Sequence, residues 1–128
     1  MADYPGKVAW LSFSCRDEVS VSHGETFADC AGLADGSDQI VAVGINCTAP
    51  QHIAGLLDSV AGLQTPLVVY PNSGEHWVAG SNRWAGEGCS GFPVRDWYER
   101  GARLMGGCCR TGPGDIREIR SELLKILG

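Results

Sequence analysis

The chain has 128 residues, a length that favours one domain, and 44% of them are hydrophobic, which is enough for an ordinary core. Charged residues make up 20%, which excludes the composition of a highly charged disordered chain. Acidic residues outnumber basic ones by 15 to 10 and the net charge is -5; phosphate binding normally shows a basic excess, so nucleic acid is not the expected partner. The 18 glycines are roughly twice the average usage and indicate tight turns or backbone that approaches a ligand closely.

The sequence contains no segment with the pattern of a membrane span or a secretory leader. Its longest apolar stretches, such as residues 40–45, are about six residues long, against the roughly 20 that a transmembrane helix needs. Residues 1–7 contain no apolar stretch of the kind that a secretory signal carries. We therefore expect a cytoplasmic protein with no membrane partner, whose cysteines are free thiols, metal ligands or catalytic groups rather than disulfides.

Short β-branched runs alternate with helical patterns along the chain, beginning with a predicted strand at 8–13 and a weak helix at 26–34. A second strand at 39–45 is apolar at nearly every position, and the helix after it begins near Thr48 and Pro50. The remaining predicted elements are a strand at 66–70, a helix at 94–100, a strand at 102–106 and a last helix from 113 onward, with no regular element at 75–92.

The alternation of strands and helices predicts an α/β protein with a parallel sheet and helices outside it. Two of the helices have apolar residues at helical spacing on one face. These residues are Ile53, Leu56, Leu57 and Val60 in the second helix, and Ile116, Ile119, Leu123, Leu124 and Leu127 in the last. Four βα units fit either a small open sheet or half of an eight-stranded barrel.

Three cysteines follow predicted strands: Cys47 after the second, and Cys108 and Cys109 after the fourth. The carboxyl ends of parallel strands meet at one edge of a sheet, so we expect these thiols to lie close together. Gly106 and Gly107 permit a sharp turn before the adjacent pair and keep bulk away from it. Thiolates favour Zn²⁺, and three protein ligands leave the fourth tetrahedral position open, which is typical of a catalytic zinc site.

The alternative interpretation of each of these features is structural. Buried cysteine is a common core residue, and we expect Cys15, Cys30 and Cys89 to be packed thiols of this kind. The three strand-end cysteines could be packed thiols as well, because their spacing lacks the signature of paired zinc knuckles. Residues 72–75 either present polar groups at the carboxyl edge of the sheet or form a plain turn.

Several segments of the sequence resemble the homocysteine S-methyltransferases. The segments that carry the resemblance are Gly44–Pro50, Val68–Glu75 and Gly101–Thr111, with Trp10–Ser14 and Ser22–Gly24 near the start. They occur in the family's order, and the resemblance runs from about Val8 to the end of the chain. It is greatest to the bacterial and plant branch that uses S-methylmethionine or S-adenosylmethionine as the methyl donor.

The resemblance implies a (β/α)₈ barrel that holds Zn²⁺ through Cys47, Cys108 and Cys109. It also implies that the homocysteine thiol occupies the fourth metal position, where it is deprotonated, and attacks the methyl group of a sulfonium donor to give methionine. We expect homocysteine and that donor as the partners, with three side chains as candidates for lining their pocket. These are Asn46, Tyr70 and Asn72.

The sequence departs from the family in one large respect, because a full barrel needs eight βα units and four are predicted here. The resemblance matches them to the C-terminal half of the (β/α)₈ barrel, so we expect an N-terminal extension at 1–7 and a zinc-bearing half-barrel domain at 8–128. In the family, the other half supplies the acidic residues that hold the homocysteine amino group. A complementary N-terminal half or a homodimer could complete the barrel; the alternatives are a non-catalytic zinc-binding half-barrel and an inert α/β domain.

Overall fold

The computed structural model describes residues 3–86 and 91–128. The strands are β1 (Ala9–Phe13), β2 (Ile40–Asn46), β3 (Leu67–Tyr70), β4 (His76–Val78), β5 (Arg83–Ala85) and β6 (Ala102–Met105). The α-helices are α1 (Phe27–Gly32), α2 (Pro50–Ser59), α3 (Val94–Glu99) and α4 (Pro113–Leu127), and a 3-10 turn (Leu33–Gly36) follows α1. The longest helix, α4, has 15 residues and a charged face, and none of the helices in the described ranges could span a bilayer.

Four strands form one parallel sheet in the order β1-β2-β3-β6. Neighbouring strands of this sheet are therefore consecutive βα units, as the alternation of strands and helices predicts. The prediction of an α/β fold with a parallel four-stranded sheet is confirmed. All four strands end at the same edge of the sheet, and the segments that follow them meet there.

The hydrophobic core lies between one face of this sheet and the helices. Val43 and Ile45 of β2 and Val69 of β3 are fully buried and pack in the same cluster as side chains from α1, α2 and α3. The apolar stripe predicted for α2 is confirmed, because Ile53, Leu56 and Leu57 are fully buried and Val60 is 5% exposed. The helices thus cover this face of the sheet.

The opposite face of the sheet is open. Alternation along the strands places Trp10, Asn46, Tyr70 and Leu104 on that face. The side chains of Trp10 and Leu104 are 58% and 46% exposed. Parallel sheets are normally covered on both faces, so an apolar surface of this kind is one that a larger assembly would bury.

Only part of the apolar stripe of the last helix is buried. Ile119 is 4% exposed, whereas Ile116, Leu124 and Leu127 are between 46% and 68% exposed. The helix begins at Pro113 as predicted, and the Asp115 carboxylate accepts a hydrogen bond of 2.8 Å from the N–H of Gly112. Helix α4 packs against α3, but most of its apolar side chains point away from the core.

Residues 76–85 form a short hairpin within the segment at 75–92, for which the sequence predicts no regular element; residues 87–90 of that segment lie outside the described residues. Strands β4 and β5 pair antiparallel, and Asn82, in the turn between them, has a positive φ of 47°. Strands of three residues are too short for an alternating pattern to be recognised in sequence, which explains why the hairpin was missed.

One glycine sets the separation of β2 and β3. Gly44 lies opposite Val68, and a Cβ atom at this position would lie 1.6 Å from the Val68 carbonyl oxygen. That distance is far inside van der Waals contact, and the obstacle is backbone that cannot rotate away. Any side chain at position 44 would therefore push the two central strands apart.

We predict that Gly44→Ala destabilises the protein by at least about 3 kcal/mol, the upper end of ordinary overpacking, because the clash is with backbone. Urea denaturation measures the change. Gly62→Ala is the matched control: no atom lies within 4 Å of a Cβ built there, and its stability should change by less than about 1 kcal/mol. Equal stability of the two variants would contradict the packing described here.

Candidate metal centre

Cys47 follows β2 directly and has a left-handed backbone conformation, with φ of 45°. A residue other than glycine in this conformation costs on the order of 1–3 kcal/mol and persists only where its surroundings hold it. The Cys47 N–H donates to the carbonyl of Tyr70, the last residue of β3, over 3.0 Å, which continues the β2–β3 ladder past the end of β2. The conformation turns the chain at the edge of the sheet, where the thiol lies.

The buried hydroxyl of Thr48, the next residue, forms two hydrogen bonds that stabilise this turn. It donates to the Asn46 carbonyl and accepts from the N–H of Cys15, both over 2.9 Å, and Thr48 is 1% exposed. Thr48 therefore joins the segment after β1 to the segment after β2. The helix cap is instead Ala49, which forms no side-chain hydrogen bond.

Cys108 and Cys109 lie in the segment that follows β6, which is bound to the segment after β3. The Cys108 N–H donates to the Pro71 carbonyl over 2.8 Å, and the Ser73 N–H donates to the Cys109 carbonyl over 3.1 Å. The Thr111 hydroxyl donates to the Cys108 carbonyl over 2.7 Å. Backbone hydrogen bonds to the segment after β3 thus fix the positions of Cys108 and Cys109 at the carboxyl edge of the sheet, where Cys47 also lies.

Gly106 and Gly107, the two glycines before the cysteine pair, were predicted both to permit a sharp turn and to leave space. A Cβ atom at Gly107 would lie 2.2 Å from the Thr111 Oγ1 atom, so this position has no room for a side chain. The left-handed turn, however, falls on Arg110, with φ of 63°, and neither Gly106 nor Gly107 has a positive φ. The prediction that glycine keeps bulk away is confirmed for Gly107, whereas the left-handed residue lies after the cysteines.

The sulfur atoms of Cys47, Cys108 and Cys109 all lie within 4.8 Å of one another. Zn–S bonds of about 2.3 Å at tetrahedral angles place sulfur atoms roughly 3.8 Å apart, so small side-chain movements would bring the three onto one ion. Cys47 and Cys108 are half-buried and Cys109 is exposed, which leaves one side of the cluster open. The donor set and its spacing fit a soft divalent cation such as Zn²⁺.

The three thiols also shift one another's ionisation. Burial opposes the charged form of Cys47, but hydrogen bonds from Cys108 and Cys109 outweigh burial and lower the pKa of the Cys47 thiol. Burial and the hydrogen bond to Cys47 raise the pKa of Cys108 to about 12, and the bond to Cys47 and burial raise the pKa of Cys109. The cluster therefore accepts one negative charge readily and resists further ones, and a bound cation would remove that resistance.

Two of the side chains predicted to line a pocket lie on the open face of the sheet. Asn46 donates through Nδ2 to the Ser14 hydroxyl over 3.0 Å. The Tyr70 hydroxyl donates to the Ser12 hydroxyl and accepts from the indole N–H of Trp10 over 3.2 Å. Both side chains are therefore held in place by residues of β1 and of the segment that follows it.

The third of these side chains, Asn72, stabilises a turn. Its Oδ1 atom accepts the Gly74 N–H over 2.8 Å, and its own N–H donates to the Thr48 carbonyl over 3.1 Å. Gly74 has a positive φ of 96°, which favours glycine there. The segment at 72–75 is thus both a turn and a set of polar groups at the carboxyl edge, so the two interpretations left open by the sequence both apply.

The other cysteines agree with a packing role where the structure describes them. Cys15 is 8% exposed, and burial raises the pKa of its thiol to about 11. Cys30 is partly buried against the core. Cys89 lies outside the described residues.

Comparison with known proteins decides the family. A sequence model of the family described as homocysteine S-methyltransferase matches residues 1–123. The chain belongs to the homocysteine S-methyltransferase family. The resemblance predicted from the sequence segments is therefore confirmed.

The relatives of this family member are considerably longer than the chain itself. A homocysteine S-methyltransferase of Bacillus subtilis is 45% identical over 123 residues, which cover 93% of this chain and 39% of that protein. Crystal structures of the homocysteine methyltransferase of Escherichia coli match in its oxidized form (TM-score 0.75, 40% identity) and its metallated form (TM-score 0.73, 38% identity). Each match covers 94% of this chain and 38% of the solved chain, so the chain spans about two fifths of the length of these relatives.

We predict that in the metal-free protein one thiol of the three-cysteine cluster ionises before the other two. The pKa of Cys47 is lowered, so its thiolate forms at lower pH than an ordinary thiol, whereas Cys108 and Cys109 stay protonated to higher pH. The ultraviolet absorbance of thiolate, followed against pH, should show an early step that disappears in Cys47→Ser.

Cys30→Ser is the matched control, because this thiol is partly buried against the core and lies outside the cluster; the early step should persist in that variant. An early step that survives Cys47→Ser would assign the ionisation to a different thiol and contradict the coupling described above.

Proposed function

We propose that this chain is the zinc-bearing half of a homocysteine S-methyltransferase, with residues 8–128 forming the C-terminal four βα units of a (β/α)₈ barrel and residues 1–7 an N-terminal extension. The observation that carries the proposal is the convergence of three sulfur atoms at the carboxyl edge of the parallel sheet. Barrel enzymes of this type place their chemistry at that edge. The order of the strands, in which consecutive units are neighbours, is also the order that a barrel requires.

The proposed zinc ligands are Cys47, Cys108 and Cys109. Zn²⁺ bound there would act as a Lewis acid that keeps the homocysteine thiol deprotonated near neutral pH, where a free thiol is mostly protonated. The half-buried positions of Cys47 and Cys108 limit the access of water, and the exposed side at Cys109 leaves room for a substrate.

The chemistry of the substrates explains why so few further groups are needed. The homocysteine sulfur supplies the electron pair that forms the new S–CH₃ bond, and the bond from the methyl carbon to the sulfonium sulfur of S-methylmethionine or S-adenosylmethionine breaks. The leaving group departs as a neutral thioether, so no general acid is required. The protein's main contribution is alignment of the attacking sulfur with the methyl group.

We assign that alignment to Asn46, Tyr70 and Asn72. Hydrogen bonds to Ser14 and Ser12 hold Asn46 and Tyr70 on the open face of the sheet. Asn46 directly precedes Cys47 in the chain, and the Tyr70 carbonyl accepts the Cys47 N–H. Side chains whose rotamers are already held by neighbours lose little freedom when a substrate binds, which favours a precise pose. Asn72 supports the same edge through its turn.

The second half of the barrel must come from outside these four units. Strands β1 and β6 are edge strands, and the open face presents Trp10 and Leu104 to solvent. Four further βα units from a complementary chain, or a second copy of this chain, would pair with both edges and cover that face. A twofold axis along the barrel would place β6 of each copy beside β1 of the other.

The alternative is a non-catalytic zinc-binding half-barrel, and the observation that favours it is the exposure of Trp10 and Leu104 on the face that a barrel would enclose. In that case the chain binds zinc but lacks the groups that position homocysteine.

We predict that the purified chain binds about one Zn²⁺. When its barrel is completed, we expect it to form methionine from homocysteine and S-methylmethionine, detected by mass spectrometry. Cys108→Ala removes a proposed ligand and should lower turnover by more than the roughly 100-fold that losing an outer-shell partner costs. Cys30→Ala, the control, should retain turnover.

Unchanged turnover in Cys108→Ala would overturn the zinc mechanism. Stoichiometric zinc with no methyl transfer, under every reconstitution, would instead establish the non-catalytic alternative. Absence of bound zinc would contradict both and leave an inert α/β domain.

We predict that the chain dimerises at micromolar concentration through the open face of its sheet, as measured by sedimentation velocity. Trp10→Glu places a charge on that face and should shift the protein to monomer, because an unpaired charge is costly to bury. Leu33→Glu is the control: Leu33 is 72% exposed in the 3-10 turn and should leave dimerisation unchanged. A folded wild-type monomer would contradict self-completion and leave a separate N-terminal half as the partner.

A further inference from the structure

We propose that Glu75 and Arg110 are positioning residues, which hold the segment of Cys108 and Cys109 so that its two sulfur atoms meet that of Cys47. The inference rests on the proposed metal function and assigns a role to two side chains beyond the ligands. It is carried by a closed set of hydrogen bonds that joins the segment after β3 to the segment after β6.

The Glu75 carboxylate is the centre of this set. Its Oε2 atom accepts hydrogen bonds from the Ser73 hydroxyl over 2.8 Å and from Arg110 Nε over 3.1 Å. Its side chain is only 20% exposed, and Ser73 is 7% exposed. The carboxylate is therefore held between the two segments rather than extended into water.

Backbone contacts close the set at the cysteines. The Ser73 N–H donates to the Cys109 carbonyl over 3.1 Å, and Arg110 is the next residue in the chain. The path from Ser73 through Glu75 and Arg110 to Cys109 thus returns to Ser73. Displacement of Arg110 would loosen the peptide that carries the Cys109 sulfur.

The conformation of Arg110 explains why such an anchor is needed. Its φ of 63° is left-handed, a region that residues other than glycine seldom adopt. The ion pair with Glu75 fixes the side chain of this residue and so favours the turn. Hydrogen bonds from Ser73 and Arg110 also lower the pKa of Glu75, which keeps the carboxylate charged.

Positioning and general stabilisation lead to different outcomes for this pair. The Arg110 side chain is 54% exposed, and ion pairs at such sites contribute little to the stability of a fold. Outer partners that orient metal ligands, by contrast, typically change metal affinity by about 10- to 100-fold when they are removed. Metal affinity and thermal stability together therefore separate the two roles.

The test is a Co²⁺ titration of the full 128-residue chain against a competing chelator, with the thiolate-to-cobalt charge-transfer band as the signal. Glu75→Gln and Arg110→Gln should each weaken Co²⁺ binding by about tenfold or more and lower the intensity of the band. The double variant should bind no more weakly than the poorer single variant, because both changes break the same link. Arg110→Lys keeps the charge and a donor and should recover most of the affinity.

Glu122→Gln is the matched control, because it breaks another exposed ion pair, 2.9 Å long, with Lys125 on α4. It should leave Co²⁺ affinity and the band unchanged. The thermal midpoints of the metal-free single variants should stay within about 4 °C of the wild type.

Wild-type Co²⁺ affinity and spectrum in Glu75→Gln and Arg110→Gln would overturn the positioning role while leaving the metal site intact. Losses that multiply in the double variant would also overturn it, since they would show two independent effects. A fall in the thermal midpoint that accounts for the lost binding would assign the pair a structural role instead. Failure of the wild type to bind Co²⁺ would contradict the proposed metal function itself.

Discussion

The site depends on a backbone ladder that continues beyond the ends of its strands. Cys47 donates to the carbonyl of Tyr70, and Cys108 donates to the carbonyl of Pro71, so both cysteine segments are attached to the chain that leaves β3. Parallel strands end at one edge, but strand ends alone leave the following segments free to diverge. The hydrogen bonds to the β3 extension prevent that divergence, and Gly44 allows the close approach of β2 and β3 on which the ladder rests.

This ladder brings the sulfur atoms of Cys47, Cys108 and Cys109 together, which makes it unfavourable for more than one of the three thiols to ionise. Burial and the hydrogen bond to Cys47 are the main causes of the raised pKa values of Cys108 and Cys109, and repulsion between thiolates within 4.8 Å of one another adds to them. A divalent cation reverses the balance, because the same proximity that disfavours a second thiolate favours three ligands on one ion. The backbone geometry therefore brings together three donors whose mutual repulsion a divalent cation would reduce.

The two faces of the sheet differ in how far the rest of the chain covers them. Helices α1 to α3 pack against one face, whereas the other exposes Trp10 and Leu104 and carries the polar groups of Asn46 and Tyr70. In a closed barrel this second face is the interior. The same surface that would bind the proposed second set of βα units therefore also presents the side chains proposed to align the substrates, so completion of the fold and completion of the site would occur together.

Patterns local in sequence determined the four strands of the parallel sheet, the α-helices and the place of the three cysteines, but not the hairpin of β4 and β5. The apolar stripe of α2 and the apolar run of β2 each lie within one element, and the position of Cys47 just after β2 indicates the carboxyl edge directly. The tertiary structure alone decided the left-handed turns at Cys47 and Arg110, the hydroxyl bonds of Thr48 and the link from Glu75 to Arg110. Each of these depends on groups brought together from separate segments, such as Glu75 and Arg110, which lie 35 positions apart in the chain. A periodic pattern does not indicate which distant partners will satisfy a strained turn or a buried polar group.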